Sequence, residues 1–523
     1  MSSASLNAIR VHPRDNIAVA VKNLSKGDAL ALQSAPAKNE GLSTSEVFVS
    51  EDINSGHKIA LCDIKQGAYI LKFGQIIGEA KQHICAGEHV HVHNISMPVA
   101  QVDSDIRIVP SDSDKISTEN NDRHFLGFHR SNGDVGTRNY IGILTSVNCS
   151  ASVAKMIAAH FTDERLKPYK NVDGVVAFTH RGGCGMAAKD SEGLENLQRT
   201  LAGYAEHPNF SNILMLGLGC EVNQIQPWMK KFNYKSSDTF KWMTIQDQGG
   251  TRATLDRGIK AIEAMLEDAN SCVRKPAPLS HLTLALQCGG SDGYSGITAN
   301  PALGAASDLL VKAGATVVLS ETPEIYGAEH LLLNRVSNKE TADKLIARLN
   351  WWKAHAVKHD IELNNNPSPG NQKGGLTTIL EKSLGAVAKA GTTPLNGFYH
   401  YAEKITNKGF VFMDAPGFDP CSVTGEIASG ANLVCFTTGR GSVFGAKPAP
   451  SIKLASNSTL FNNMQDDMDI NCGKILDGEV DVQQMGEEIF NFIIDVASGK
   501  PTKSEEWGFG DNEFIPWQLG AML

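Results

Sequence analysis

The sequence predicts an α/β protein: a small N-terminal β domain followed by Rossmann-like α/β domains with mostly parallel sheets. Three observations predict it. Leu282 to Glu321 reads as strand, loop, helix and strand, a unit that gives parallel pairing through a right-handed crossover. Between Tyr140 and Leu218, further buried-strand runs each end in a small-residue loop. The first hundred residues instead carry short apolar runs punctuated by glycines, with weak helical periodicity, as in compact β structure.

The chain has 523 residues, enough for about three domains of roughly 150 residues. We divide it into residues 1–100, a linker at 101–122, an α/β domain at 123–275 and a C-terminal α/β catalytic domain at 276–523. Hydrophobic content of 41% and charged content of 20% are ordinary for a globular protein. A net charge of −9 offers no basic footprint for nucleic acid. No apolar run approaches the roughly 18 residues of a membrane span. The N-terminus lacks an apolar signal core, so the expected compartment is the cytoplasm. Ten cysteines spread along the chain, without a C-x-x-C pair, argue against a disulfide scaffold or zinc ribbon.

In the N-terminal part the apolar runs are Ile17–Val21, Lys58–Leu61, Tyr69–Phe73 and His89–His93. The last alternates His with Val. As a strand it would set His89, His91 and His93 on one face. Such a face suits a divalent metal or a polyhydroxy acid, or it is simply a solvated edge. His57 precedes the Lys58 strand. Residues 101–122 are rich in Asp, Ser and Asn and read as a linker.

The α/β part begins near Phe125. Tyr140–Val147 is a strand, with Ser150 placed to cap a helix over Ala151–Phe161. Val172–Phe178, Asn212–Leu218 and Leu282–Leu286 are further strands. The loops after the four strands carry Cys149, Cys184, Cys220 and Cys288. If the strands are parallel, the thiols share one sheet edge, where open α/β sheets bind ligands. A soft-ligand or anion site there competes with plain packing of small residues. His180 and Glu221 lie in the same loops. Neither a complete dinucleotide fingerprint nor a phosphate-loop motif occurs.

The loop after Leu286 holds Cys288, Ser291, Asp292, Ser295 and Thr298. A helix follows, with Asn300 and Pro301 at its start, and Ala315–Leu319 is the next strand. Glu321 and Glu324 flank a proline beyond it, placed to hold a metal, move protons or decorate a turn. A long helical region is expected over about 328–359, and residues 366–375 are expected to be irregular. Val411–Asp414 and Leu433–Thr437 are strands, and a final amphipathic helix covers Met485–Ala497. Arg440, between glycines, reads as a carboxylate clamp.

The segments THRGGCG, GLGCE, QCGGSDGYSGITANPALG, SETPEIYGAE, NPSPGNQKGG, EKSLG and TTGRGS resemble the altronate/galactarate dehydratase family. SGHKIAL and GEHVHVHN resemble that family's β-clip, or SAF-like, domain. The resemblance spans essentially the whole chain. GEHVHVHN and PEIYGAE are closer to the altronate branch, since the galactarate branch lacks the His-rich run. Gly182-Gly183-Cys184 departs from the Tyr-Gly-Cys common in the family.

The resemblance implies a cytoplasmic hydro-lyase of hexuronate breakdown. It would convert D-altronate to 2-keto-3-deoxy-D-gluconate and water by metal-assisted β-elimination. Galactarate dehydration and sulfolactate cleavage are alternatives on the same scaffold, and a non-catalytic sugar-acid-binding protein is the reading from another class. Ferrous iron is the expected cofactor, with Mn2+ or another divalent metal as substitute and an iron–sulfur cluster as the lesser alternative. A homodimer acting on a small sugar acid is expected, with no nucleic acid or membrane partner. On this reading His180 leads the candidate bases, ahead of Lys382 and His57. Ser291, Asp292, Asn366 and Asn371 bind hydroxyls, and Arg440 grips the carboxylate. The metal is held by some of His57, His91, His93, Cys184, Glu221 and Cys288.

Overall fold

The computed structural model describes residues 6–34, 47–98, 108–109, 123–186 and 191–520. The fold is α/β with an N-terminal β domain, as expected. That domain holds a five-stranded sheet and a three-stranded one built from strands of two to six residues. The linker lies outside the described residues, apart from Ile108 and Val109, which pair with Val336.

The second domain is a four-stranded parallel sheet in the order Gly174–Phe178, Tyr140–Thr145, Phe210–Gly217, Phe240–Thr244. The chain enters and leaves this domain on neighbouring antiparallel strands, His124–His129 and Arg274–Pro278.

The C-terminal domain is a seven-stranded parallel sheet. Its order is Leu395–Tyr399, Gly409–Met413, Thr316–Leu319, Thr283–Cys288, Leu433–Thr438, Ser451–Ala455, Ile470–Asn471. Its central strands are apolar on both faces because both faces are covered. Leu284, Leu286, Val317, Leu319, Phe410 and Phe412 enter one core with the helices Ala299–Lys312 and Val482–Ala497. The alternate residues Ala285, Val318, Val411 and Val434 enter another, shared with Leu144, Phe178 and Met215 of the second domain. Period two along each strand thus ties the two α/β domains together. The first core also takes in Ile17, Val19, Ile70 and Ile77, so the N-terminal domain packs on the C-terminal one.

Several expectations need correction. Cys149, Cys184 and Cys220 follow strands of the four-stranded sheet, whereas Cys288 ends a strand of the seven-stranded sheet. The four thiols therefore do not share one edge. The His-rich strand is only His89–Val90, because Asn94 folds back. Its side chain donates to the His89 carbonyl at 2.8 Å and accepts from the His91 amide at 2.9 Å. The long helix is two helices, Glu329–Leu333 and Lys339–Lys358, the second capped by Asn338. Residues 366–375 hold a short helix, Pro369–Lys373, started by a Ser368 capping box. Ser150 stands at a helix start, but its hydroxyl donates to the Val147 and Leu216 carbonyls instead of capping.

Candidate active site

The carboxyl edge of the seven-stranded sheet gathers an unusual set of buried charges. Cys288 ends the central strand, and Glu321 and Glu324 follow its neighbour. Glu321 adopts φ 68°, a left-handed conformation costly for a residue with a Cβ. The turn is pinned by Thr322, whose amide donates to the Ala415 carbonyl and whose hydroxyl donates to Asp414. As a result the Cys288 sulfur and one oxygen from each glutamate lie within 4.8 Å of one another.

Two lysines face this group from one helical segment. Lys382 and Lys389 are seven residues apart, two helical turns, so they share a face. Lys382 Nζ lies 2.5 Å from Glu324 Oε1 and 2.9 Å from Asn366 Oδ1. Asn366 Nδ2 donates to Glu324 Oε1 at 2.9 Å. Lys389 Nζ lies 3.0 Å from the Cys288 sulfur.

Electrostatics split the carboxyls. Burial, reinforced by Glu324 and Asp419, holds Glu321 well above the usual carboxylate range. Burial acts the same way on Glu324, but the Lys382 ammonium outweighs it and keeps Glu324 ionised. Burial and then Glu324 push Asp419 up to about 6. Lys382 is raised in turn, because Glu324 overcomes the cost of burying the ammonium. Two acids held in opposite protonation states are the arrangement that acid–base chemistry needs. Asp419 and Arg440 flank the Gly289–Gly290 turn: a Cβ on Gly289 would stand 2.3 Å from Asp419 Oδ2, and one on Gly290 3.4 Å from the Arg440 Cβ. Asp419 is half-buried and Arg440 exposed.

The N-terminal domain closes over the same loops. A Cβ at Gly293 or Gly375 would stand 2.0 or 2.1 Å from the Gly56 carbonyl oxygen, so only glycine permits this approach. The contact brings His57 Nε2 to 3.1 Å from the Lys373 carbonyl and His57 Nδ1 to 2.9 Å from His89 Nε2. Ring nitrogens of His57, His89 and His91 lie within 4.8 Å of one another. Burial, then the neighbouring rings, pushes His89 down to about 3. Burial, then Lys58, pushes His91 down to about 4. These imidazoles are neutral at neutral pH, as metal ligation requires. His91 Nδ1 is buried without a hydrogen-bond partner. The donor set fits a divalent transition metal.

Other expected site residues take different roles. His180 is not placed as a base: Nε2–H donates to the Thr145 carbonyl at 2.8 Å, and Nδ1 accepts from the Gly182 amide at 3.2 Å. Lys382, held protonated, is not a base either. Glu221 holds its own loop, accepting from the Ser146 hydroxyl and the Leu218 and Gly219 amides. It and Cys184 follow strands of the second domain's four-stranded sheet, whereas Cys288 ends a strand of the seven-stranded one. His93 is exposed and its ring centroid lies 5.5 Å from that of His89; His89, not His93, completes the trio. Asn371 is occupied by Ser368 and by the Ser291 carbonyl. Asp292 is buried and accepts from Tyr294, Ser295, Ser456 and Asn457. Of the expected hydroxyl binders, Asn366 alone contacts the charged cluster through hydrogen bonds. Asp419 and Lys389 were not singled out from sequence; for Lys389, its spacing from Lys382 was the available signal.

Three family models match the chain in succession. The altronate/galactarate dehydratase SAF domain covers residues 6–98, the D-galactarate dehydratase/altronate hydrolase second domain 127–270, and the D-galactarate/altronate dehydratase C-terminal domain 279–522. The chain belongs to the D-galactarate/altronate dehydratase family. Within it, altronate dehydratase of Bacillus subtilis (strain 168) is 36% identical over 520 residues, covering 98% of this chain and 99% of the relative. Altronate dehydratase of Escherichia coli (strain K12) is 35% identical over 515 residues, with the same coverage. Galactarate dehydratase (L-threo-forming) of the same organism is 34% identical over 507 residues, 96% of this chain and 94% of the relative. Family membership assigns the chain to the hydro-lyases. Among the described residues no helix is long and apolar enough to cross a membrane.

Proposed function

We propose that this chain dehydrates D-altronate to 2-keto-3-deoxy-D-gluconate. One proton leaves the carbon beside the carboxylate, the neighbouring hydroxyl departs as water, and the enol tautomerises to the keto acid. The observation that carries the reading is the split pair Glu321 and Glu324, one protonated and one ionised, beside Lys382.

Asp419 serves as the base, because it is half-buried beside the Gly289–Gly290 turn and burial, then Glu324, raises it to about 6. Protonated Glu321 supplies the proton that converts the leaving hydroxyl to water. The Lys382 ammonium offsets the negative charge that develops on the enolised carboxylate. Arg440 grips that carboxylate from the exposed side. His57, His89 and His91 would hold a divalent cation, iron first and manganese as substitute. When bound, such a cation would supply Lewis acidity for the elimination. The fused N-terminal domain supplies this trio, and the His-rich run favours altronate over galactarate.

The test is an anaerobic assay of the purified chain on D-altronate, galactarate and sulfolactate with iron, manganese or magnesium. A keto acid formed fastest from altronate supports the reading. Faster turnover of galactarate, or sulfite release from sulfolactate, overturns the substrate assignment. Ligand-dependent heat stabilisation without turnover would indicate a binding protein.

A further inference from the structure

The second domain carries a thiol site that the dehydratase reading does not use. Free cysteine is among the most buried residue types, and Cys288, Cys421, Cys435 and Cys472 are buried. Cys149, Cys184 and Cys220 are exposed, as are Cys62 and Cys85 of the N-terminal domain; what sets the three apart is their shared place on one sheet edge. They follow three adjacent parallel strands, Tyr140–Thr145 in the middle with Gly174–Phe178 and Phe210–Gly217 on either side. The pairings Leu144 with Phe178 and Thr145 with Leu216 bring the three strands to one edge together.

The loops beyond are knitted to one another. The Asn148 amide donates to the Gly182 carbonyl at 3.0 Å, and the Asn223 amide to the Gly183 carbonyl at 3.1 Å. The Asn223 side chain returns to the Ser146 carbonyl at 3.1 Å. Each flanking thiol also follows a glycine of positive φ, Gly183 at 96° and Gly219 at 128°. A Cβ on Gly183 would stand 2.3 Å from the Ser146 carbonyl oxygen. Backbone that tolerates only glycine is thus used to set Cys184 beside the Cys149 loop.

We propose that Cys149, Cys184 and Cys220 together bind an iron–sulfur cluster of the [4Fe–4S] type, leaving one iron open to an oxygen ligand. Thiolates are the soft ligands such clusters take, and each thiol gives up its proton on ligation. A single tetrahedral ion would draw three sulfurs to about 3.8 Å from one another. Three thiolates carried on three separate loops can each ligate a different iron, which is the ligation a polynuclear centre takes. The proposal concerns a different domain from the carboxyl site and does not rest on the altronate assignment.

The test uses the full chain, purified anaerobically and reconstituted with iron and sulfide, without substrate. The expected result is iron and sulfide in equal amounts, with broad visible absorption that dithionite bleaches. Cys149→Ser, Cys184→Ser and Cys220→Ser should each lose most of it, and Cys62→Ser should keep it. Alkylation mapping of the reconstituted wild type guards against misfolded variants: bound cluster should protect the peptides carrying these three thiols. A colourless wild type, iron bound without sulfide, or colour that survives all three substitutions overturns the proposal. So does equal alkylation with and without reconstitution. A chain that binds the cluster yet fails to dehydrate altronate would defeat the function and leave this site standing.

Discussion

At His180 the imidazole is held between a backbone carbonyl and a backbone amide, and burial pushes it down to about 4. Its ordinary value is 6.5. Between those limits the unfolded chain holds the extra proton, so stability falls as pH drops from about 6.5 to 4. His180→Ala should cost about 2–4 kcal/mol at neutral pH through two lost hydrogen bonds and a cavity. It should also flatten stability across that pH window, and leave turnover per folded molecule within about twofold. Urea midpoints at pH 7.5 and 5, with saturating assays, check this. A large loss of turnover in well-folded variant would return His180 to the chemistry. Asp419 should behave oppositely. Acting ionised, it makes kcat/KM rise with pH through about 6, and Asp419→Asn should lower kcat by about 10²–10⁴ without unfolding the chain. A pH profile unchanged in that variant would remove it from the base role.

At the scale of elements, the strands legible in sequence were those buried on both faces, because continuous apolar runs such as Leu282–Leu286 need no partner to be recognised. One buried strand, Ser451–Ala455, was missed because Ser and Lys break its apolar run. Weaker strands were missed too. Leu395–Tyr399 and Ile470–Asn471 are the sheet's edges, and Phe240–Thr244 mixes Lys and Thr with aromatics. The carboxyl-edge loops were legible as chemistry, but their partners were not, since Lys389 and Asp419 reach the cluster from distant segments. The His-rich run shows the same limit. Period two set His89, His91 and His93 on one face, whereas the Asn94 turn gathers His91 with His57 and His89 and leaves His93 exposed. His89→Ala should therefore weaken Mn2+ or Fe2+ binding tenfold or more, and His93→Ala should leave it within about twofold. Anaerobic calorimetric titration separates the two, and equal losses would sink the trio.

At the scale of the whole molecule, one buried carboxylate joins the N-terminal domain to the catalytic one. Glu381 meets Lys58 and Lys72, each at 2.8 Å, and all three side chains are at most 1% exposed. Burial opposes ionisation of Glu381, but the two ammoniums outweigh it and hold the acid well below the usual range. Two cations share one anion, so burial still draws Lys58 down to about 8. The Lys58 ammonium also donates to the Gly375 carbonyl and the Lys72 ammonium to the Gly293 carbonyl, which seats the His57 turn on the site loops. Removing the anion leaves two uncompensated cations in a dry interface. Glu381→Gln should therefore cost about 3–5 kcal/mol, expose the N-terminal domain to limited proteolysis and weaken metal binding at the His trio. Adding Lys72→Met should recover part of the stability, because it removes one stranded charge. Urea unfolding and timed proteolysis measure both. If Glu381→Gln unfolds at the wild-type midpoint with its N-terminal domain equally resistant, the domains are held by their apolar core alone.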